Sequence, residues 1–245
     1  MNFFEHLGRY TLLLKKSLSK PDKSSIFFKM LLNELEKIGL ESVPIVFIVS
    51  IFFGAVITLQ TAYNMESPLL PDYLVGLGTR DTMLLEFSST VMCLILAGKV
   101  GSNIASELGS MSINQQVDAL EIMGVNSASH LILPKIIAGF LFFPFLSLFC
   151  MVVGIFGGWL AGVVSGVVPS SEFMYGIQFE FKPYYAFYGV TKTFLFSFII
   201  TSVSSYYGYY TQGGAIDVGK SSTKAVVNSS LILLIFNLII TQIML

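Results

Sequence analysis

The sequence predicts an all-α membrane protein with five transmembrane helices, and three observations carry that prediction. The first is composition: 54% of the 245 residues are hydrophobic and 12% charged, with a mean hydropathy of +0.75. A soluble domain carries about 25% charged residues. The second is run length. Segments 42–65, 136–171, 193–216 and 225–245 hold no charged residue, and each reaches the roughly 20 residues that cross a bilayer as helix. The third is the uneven placement of positive charge between alternate loops.

The elements follow in order. Residues 3–18 place Phe3, Leu7, Tyr10, Leu14 and Leu18 at helical spacing, with Glu5, His6, Arg9, Lys15 and Lys16 mainly opposite. That pattern predicts an amphipathic helix lying on a membrane surface. The start lacks a continuous apolar core and a small-residue cleavage site, so it does not read as a signal peptide. A second interfacial helix is expected after Pro21, capped by Ser24 or Ser25 and half apolar from Ile26 to Leu40. Residues 1–40 therefore read as an interfacial elbow and 41–245 as the transmembrane domain.

Span one is expected at about 43–63, ended by a loop over 65–81 with Pro68 and Pro71. Span two covers about 82–103 and carries Glu86 and Lys99 near its ends. Span three starts near Pro134 and reaches about 168. With no polar break near Gly154–Gly158, it reads as one long tilted helix, kinked near Pro144. Span four is expected at 184–206, a polar Gly-rich loop at 207–224, and span five at 225–245.

Five spans with a cytoplasmic N-terminus put segments 1–42, 99–135 and 207–224 inside. These hold 11 of the 14 Lys and Arg residues. The outside segments hold Arg80 and Lys182, and Lys192 lies within span four. Cytoplasmic loops carry such an excess. Net charge is −1, so no nucleic-acid partner is implied. No Walker-A or GxGxxG spacing appears. Cys93 and Cys150 sit inside apolar runs and read as small buried hydrophobes. No catalytic residue, cofactor or metal site is expected.

Between spans two and three lies SELGSMSINQQVDALEIMG (106–124), with three acids and no base. Ser112 and Gln115 have capping-box spacing. Ile113, Val117 and Leu120 then repeat on one face, while Gln115, Asp118 and Glu121 project elsewhere. This reads as a short cytoplasmic helix with an apolar side on the membrane domain and a polar side for a soluble partner.

The stretch AGKVGSNIASELGSMSINQQVDALEIMGVN (97–126) resembles the hallmark segment of MlaE-type permeases, the membrane subunits of lipid ABC transporters that work with MCE-domain proteins. YYGYYTQGGAIDVGKSSTKAVVNSS (206–230) is similar to the closing motif of that family, and GAVITLQ (54–60) to its first span. The resemblance implies a coupling helix at about 106–124 that docks on a separate ATPase, with Glu107, Ser112, Gln115, Gln116, Asp118 and Glu121 as contacts. It also implies two permease copies enclosing a cavity for phospholipid, an MCE-domain protein on the outer side, and a bacterial inner-membrane location. Two departures stand out. Where the family usually reads Arg-Glu-Leu-Gly-Pro, this chain has Leu85-Glu86-Phe87-Ser88-Ser89; and Ser127 replaces a usual Pro.

The substrate-site candidates are Glu86, Phe87, Gln60, Ile57, Tyr63 and Lys192. An intramembrane carboxylate is functional by default, and Glu86 occupies the position of the family glutamate. Gln60 reads as cavity lining or as an interhelical hydrogen-bonding group. Phe87 reads as cavity lining or core. Lys192, about eight residues into span four, is expected to snorkel outward, while the family it resembles, which often shows Lys there, leaves a headgroup role open. A secondary transporter driven by protonation of Glu86 is the alternative, and it would need further buried ionisable groups forming a relay.

Overall fold

A computed structural model of the chain describes residues 3–19, 24–65 and 70–245. Among them there are helices and no strands. Pro21 and Pro68 lie outside the described residues, and Ser24 and Ser25, the two candidate caps of the second helix, fall within its first turn.

Helix α1 spans Phe3–Ser17. Helix α2, Ser24–Glu34, runs on through a π-helical turn (Leu35–Gly39) and a 3-10 turn (Leu40–Ser42) into α3, Val43–Asn64. The expected elbow is therefore continuous with span one. Span two is longer than the sequence suggested. It starts outside the apolar run with α4 (Tyr73–Thr82), which occupies most of the expected loop. It continues through a π-helical stretch (Met83–Val91), α5 (Met92–Leu96) and a second π-helical turn (Ala97–Gly101) into α6, Ser102–Ile113. Short helices α7 (Gln116–Ile122) and α8 (Ser127–Leu131) lead to α9, Leu133–Val164. The chain then forms α10 (Ser170–Gln178), α11 (Pro183–Tyr209) and α12 (Ala215–Met244).

Among the described residues five helical stretches are long and apolar enough to cross a membrane, which matches the expected count. Span three is one helix, unbroken through Pro144. At 1.5 Å per residue its 32 residues reach about 48 Å, beyond a roughly 30 Å hydrocarbon core. Span five begins ten residues before expectation. The 207–224 loop shrinks to residues 210–214, where Gly213 (φ +109°) makes the turn, and Gly219 falls inside α12.

Helix α11 is the centre, packing on α9, α12 and α6. Its buried face carries Thr193, Ser197, Thr201, Ser202, Ser204 and Ser205. Several of these hydroxyls donate back along the helix, as Thr193 does to Gly189 O (2.8 Å) and Thr201 to Ser197 O (2.8 Å). Small back-bonded residues let neighbouring helices approach a central span, although the Ser204 and Ser205 hydroxyls are buried there without a hydrogen-bond partner among the described residues. Helices α3 and α9 meet backbone to backbone: a Cβ added at Gly54 would lie 1.9 Å from Gly154 O. Spans one and five are the outliers, with only 28% and 17% of their most apolar windows buried. Much of their apolar surface therefore faces lipid or another chain.

Candidate functional site

The expected site residues fall at two polar centres among the described residues, one within the span bundle and one at the end that carries α7. The first is built on the π-helical stretch of span two, where the wider turn brings Glu86 toward α11 and α12. Glu86 Oε1 accepts from Lys192 Nζ at 2.9 Å. Lys192 is fully buried, whereas the Glu86 side chain is 43% exposed. The ammonium also lies 3.4 Å from Thr241 Oγ1 and 3.5 Å from Leu85 O, over the Tyr188 ring at 4.6 Å. Tyr188 in turn hydrogen-bonds Thr241 (2.8 Å).

The second carboxylate oxygen of Glu86 accepts from Asn237 Nδ2 at 3.3 Å. Thr90 Oγ1 sits 2.8 Å from that oxygen and 3.0 Å from Asn237 Oδ1, so its one proton serves either acceptor. Spans two, four and five thus meet at a charge pair whose lysine is sealed and whose carboxylate keeps an open edge. The expected snorkelling of Lys192 is corrected: a carboxylate within reach holds the ammonium inside the bundle, a better exchange than stretching about 12 Å to the interface.

The other substrate-site candidates scatter. Phe87 is buried against Phe53, ring centroids 4.6 Å apart, and belongs to the core. Ile57 packs at the edge of that core. Gln60 and Tyr63 are exposed on α3. Tyr63 borders a cavity of about 570 Å³ between the ends of α3, α4 and α9. Glu86 and Lys192 are brought together; the remaining four are not.

The second centre corrects the expected single helix over 106–124. Span two continues to Ile113, the chain turns at Asn114–Gln115, and a separate α7 follows. Gln115 is the residue before α7, with φ +58° and no side-chain cap, so the expected capping box is not formed. Ser112 instead sits in the last turn of α6, where its hydroxyl has Thr211 O (2.9 Å) and Tyr209 O (3.2 Å) as acceptors. Val117 is buried and Ile113 and Leu120 half-buried, as the apolar face requires.

Of the six residues expected to face an ATPase, Gln115, Gln116 and Asp118 are exposed without a side-chain hydrogen bond among the described residues. Glu121 stays exposed but is tied within the chain. Its Oε1 accepts from Lys16 (2.6 Å) on α1, Ser127 (2.8 Å) and Tyr209 (3.1 Å). The Lys16 hydrogen bond, then that of Ser127, holds the Glu121 carboxyl below its usual value. The same bond raises the Lys16 ammonium. Asn126 adds hydrogen bonds to Lys16 O and Ser19 Oγ. Tyr10 and His6 pin the other end of α1 to Ser202 (2.8 Å) and Tyr206 (2.7 Å) of α11. Glu107 is likewise tied within the chain, to Lys37 (2.9 Å) and Lys135 (2.6 Å).

Residues 31–243 match the family described as Permease MlaE. The chain belongs to that family. Relatives include a probable ABC transporter permease protein of Rickettsia bellii, 33% identical over 97% of this chain and 92% of the relative. Another is the intermembrane phospholipid transport system permease protein MlaE of Haemophilus influenzae, 29% identical over 100% and 94%. A third is the chloroplastic protein TRIGALACTOSYLDIACYLGLYCEROL 1 of Arabidopsis thaliana, 30% identical over 84% of this chain and 59% of its own length.

This MlaE-family permease has one feature at its α7 tip that periodicity missed. Ile122 and Met123 are 86% and 68% exposed, side by side at the far end of the arm. An apolar pair directly before Gly124, off the Val117–Leu120 stripe, is the signal that could have found them.

Proposed function

We propose that this chain is the non-catalytic membrane subunit of an ABC transporter that moves phospholipid between the inner and outer bacterial membranes. Two copies would enclose the lipid path, a separate ATPase would drive them from the cytoplasm, and an MCE-domain protein would receive or deliver lipid outside. The observation that carries the reading is family membership across residues 31–243, together with the phospholipid-transport name of the Haemophilus influenzae relative. The excess of Lys and Arg in segments 1–42, 99–135 and 207–224 supports an N-terminus in the cytoplasm, and hence α7 on the ATPase side.

In this reading the sparsely buried faces of spans one and five bound the path. The open edge of Glu86, beside Asn237 on span five, offers a polar point for a headgroup, while Phe52, Val56, Leu234 and Leu238 offer apolar surface. Gln116, Asp118, Ile122 and Met123 form the exposed tip for the ATPase. Nucleotide-driven movement of that tip would bias a two-state packing of the spans. A proton-driven transporter would need a relay of ionisable groups. The neighbours of the Glu86–Lys192 pair are instead hydroxyls, an amide and a phenol, which favours the ATP-driven reading.

The test is a mild-detergent purification of the tagged chain from its native membrane. An ABC ATPase in near-equal amount, with an MCE-domain protein, is the expected result. A chain that purifies alone, and stays alone after crosslinking, would overturn it. A photo-crosslinker at position 237 should capture phospholipid; capture at position 60 alone would move the path away from Glu86.

A further inference from the structure

At the α7 end, four charged side chains alternate in sign across three elements. Lys135 Nζ lies 2.6 Å from Glu34 Oε1 and 2.6 Å from Glu107 Oε2. Glu107 Oε1 lies 2.9 Å from Lys37 Nζ. Lys135, at the start of α9, is 3% exposed; Glu34, ending α2, is 10% exposed; Glu107 and Lys37 reach solvent. The set is neutral in sum, which is the condition for keeping an ammonium buried.

The packing around it gives the set its meaning. Helix α6 packs mainly on α11 and α12, whereas α2, the π-helical elbow turn and α3 pack mainly on α9. The elbow and the coupling arm thus belong to different sides of a seam. A small crevice runs along it, lined by Glu34, Lys37, Ile38, Lys99, Asn103 and Glu107 among others. Side-chain bonds close the seam: Glu107 to Lys37, and Lys99 to Glu41 O and to Ser42 Oγ (3.2 Å). The elbow runs without a break into span one, so a displacement of the elbow moves span one.

We infer that Glu107 is a positioning residue that passes movement of the coupling arm across this seam into the elbow and span one, by way of Lys37 and Lys135. The inference rests on the proposed ATP-driven reading. It reassigns Glu107 from ATPase contact to internal transmission, because both its oxygens are occupied within the chain. Charge-assisted bonds suit such transmission because they are strong, short and directional, and here they join elements that share little apolar packing.

The test uses the transporter complex, with its ATPase and acceptor protein, reconstituted in phospholipid vesicles, and reads lipid moved per ATP hydrolysed. Lys37 is exposed, so Lys37→Ala leaves the fold intact, and Glu107→Gln keeps the shape of the side chain. Both are expected to retain the bound ATPase yet lower the lipid-to-ATP ratio about fivefold or more, the size of a typical coupling between sites. Lys37→Arg should restore the ratio. An unchanged ratio in both variants would overturn the inference, and so would loss of the ATPase from Glu107→Gln, which would make Glu107 a docking contact. A wild-type chain that binds no ATPase would overturn the proposed function, and this inference with it.

Discussion

Lys192 and Glu86, 106 residues apart in sequence, face each other at 2.9 Å with unequal burial: the lysine is sealed and the glutamate is 43% exposed. The asymmetry makes the carboxylate the group that answers to the surroundings, and the lysine the group that depends on it. Each ammonium proton has an acceptor in Glu86, Thr241 or the Leu85 carbonyl, but only Glu86 carries charge.

Removing the two partners should therefore have unequal effects. Glu86→Ala leaves a buried ammonium without a counter-charge and is expected to cost about 3 kcal/mol or more. Lys192→Met leaves a carboxylate that keeps Thr90, Asn237 and its open edge, and is expected to cost about 1 kcal/mol. Thermal unfolding of the two variants in one detergent checks the order. Equal losses would mean that the pair is not sealed on the lysine side.

The glycine contact between spans one and three gives a steric prediction. A Cβ at Gly157 would lie 2.5 Å from Ile51 O, whereas one at Gly219 meets nothing within 4 Å. Gly157→Ala is expected to destabilise by about 1–3 kcal/mol through overpacking. Gly219→Ala, within α12, is expected to stabilise the isolated chain by about 0.5–1 kcal/mol through helix propensity. Matched melting curves decide it, and a tolerated Gly157→Ala would deny the close approach of α3 to α9.

The clasp between α1 and α7 has a pH window set by its two shifts. Glu121 is lowered, so its contribution is complete above the ordinary carboxylate value of 4.5 and is lost as pH falls through the lowered one. Lys16 is raised, so its contribution is complete below 10.5 and is lost as pH rises through the raised value. The Glu121–Lys16 contribution to docking of α1 should be flat through neutrality and weaken only in acid and in strong base. A fluorophore at Leu12→Cys, which is exposed, reads the docking. Glu121→Gln should abolish the acid limb; an acid limb that survives this change would assign it elsewhere.

How much of the fold and site is legible in the sequence follows from which interactions are local. Five spans are readable because hydrophobic length and charge bias are properties of contiguous sequence. The N-terminal ends of spans two and five escape that reading because Tyr73–Thr82 packs on α10, while Ala215–Lys224 packs on α6 and is capped by Asp217, so both form helix despite their polarity. Glu86 is readable as an intramembrane acid, but its pairing with Lys192 is not, since nothing in span four states which neighbour it meets. Glu107 and Glu121 read as free for a partner because charge near a loop usually is; Lys16, Lys37 and Lys135, all distant in sequence, engage them within the chain. Phe87 could have faced either way, and the π-helical register that buries it is invisible to a 3.6-residue count.

That engagement of Glu107 and Glu121 shifts the expected ATPase contact from the acids to the apolar tip. With Glu121 exposed but engaged by Lys16 and Ser127, the uncommitted outward surface of α7 and its C-terminal end is Gln116, Asp118, Ala119 and the pair Ile122 and Met123. Val117 anchors the helix beneath, so the pair projects from a fixed base. Central apolar anchors carry most of the energy of a protein contact, whereas rim charges carry little. Replacing Ile122 and Met123 together by Glu is expected to lower recovery of the co-purifying ATPase about tenfold or more, equivalent to about 1.4 kcal/mol or more. Asp118→Asn should change it by less than about threefold, because a solvated charge contributes little. Both substitutions are on exposed positions, so the chain should melt as wild type, and that measurement accompanies the pull-down. If the double Glu variant keeps its ATPase while Asp118→Lys loses it, the contact is ionic and the apolar tip has no part in it.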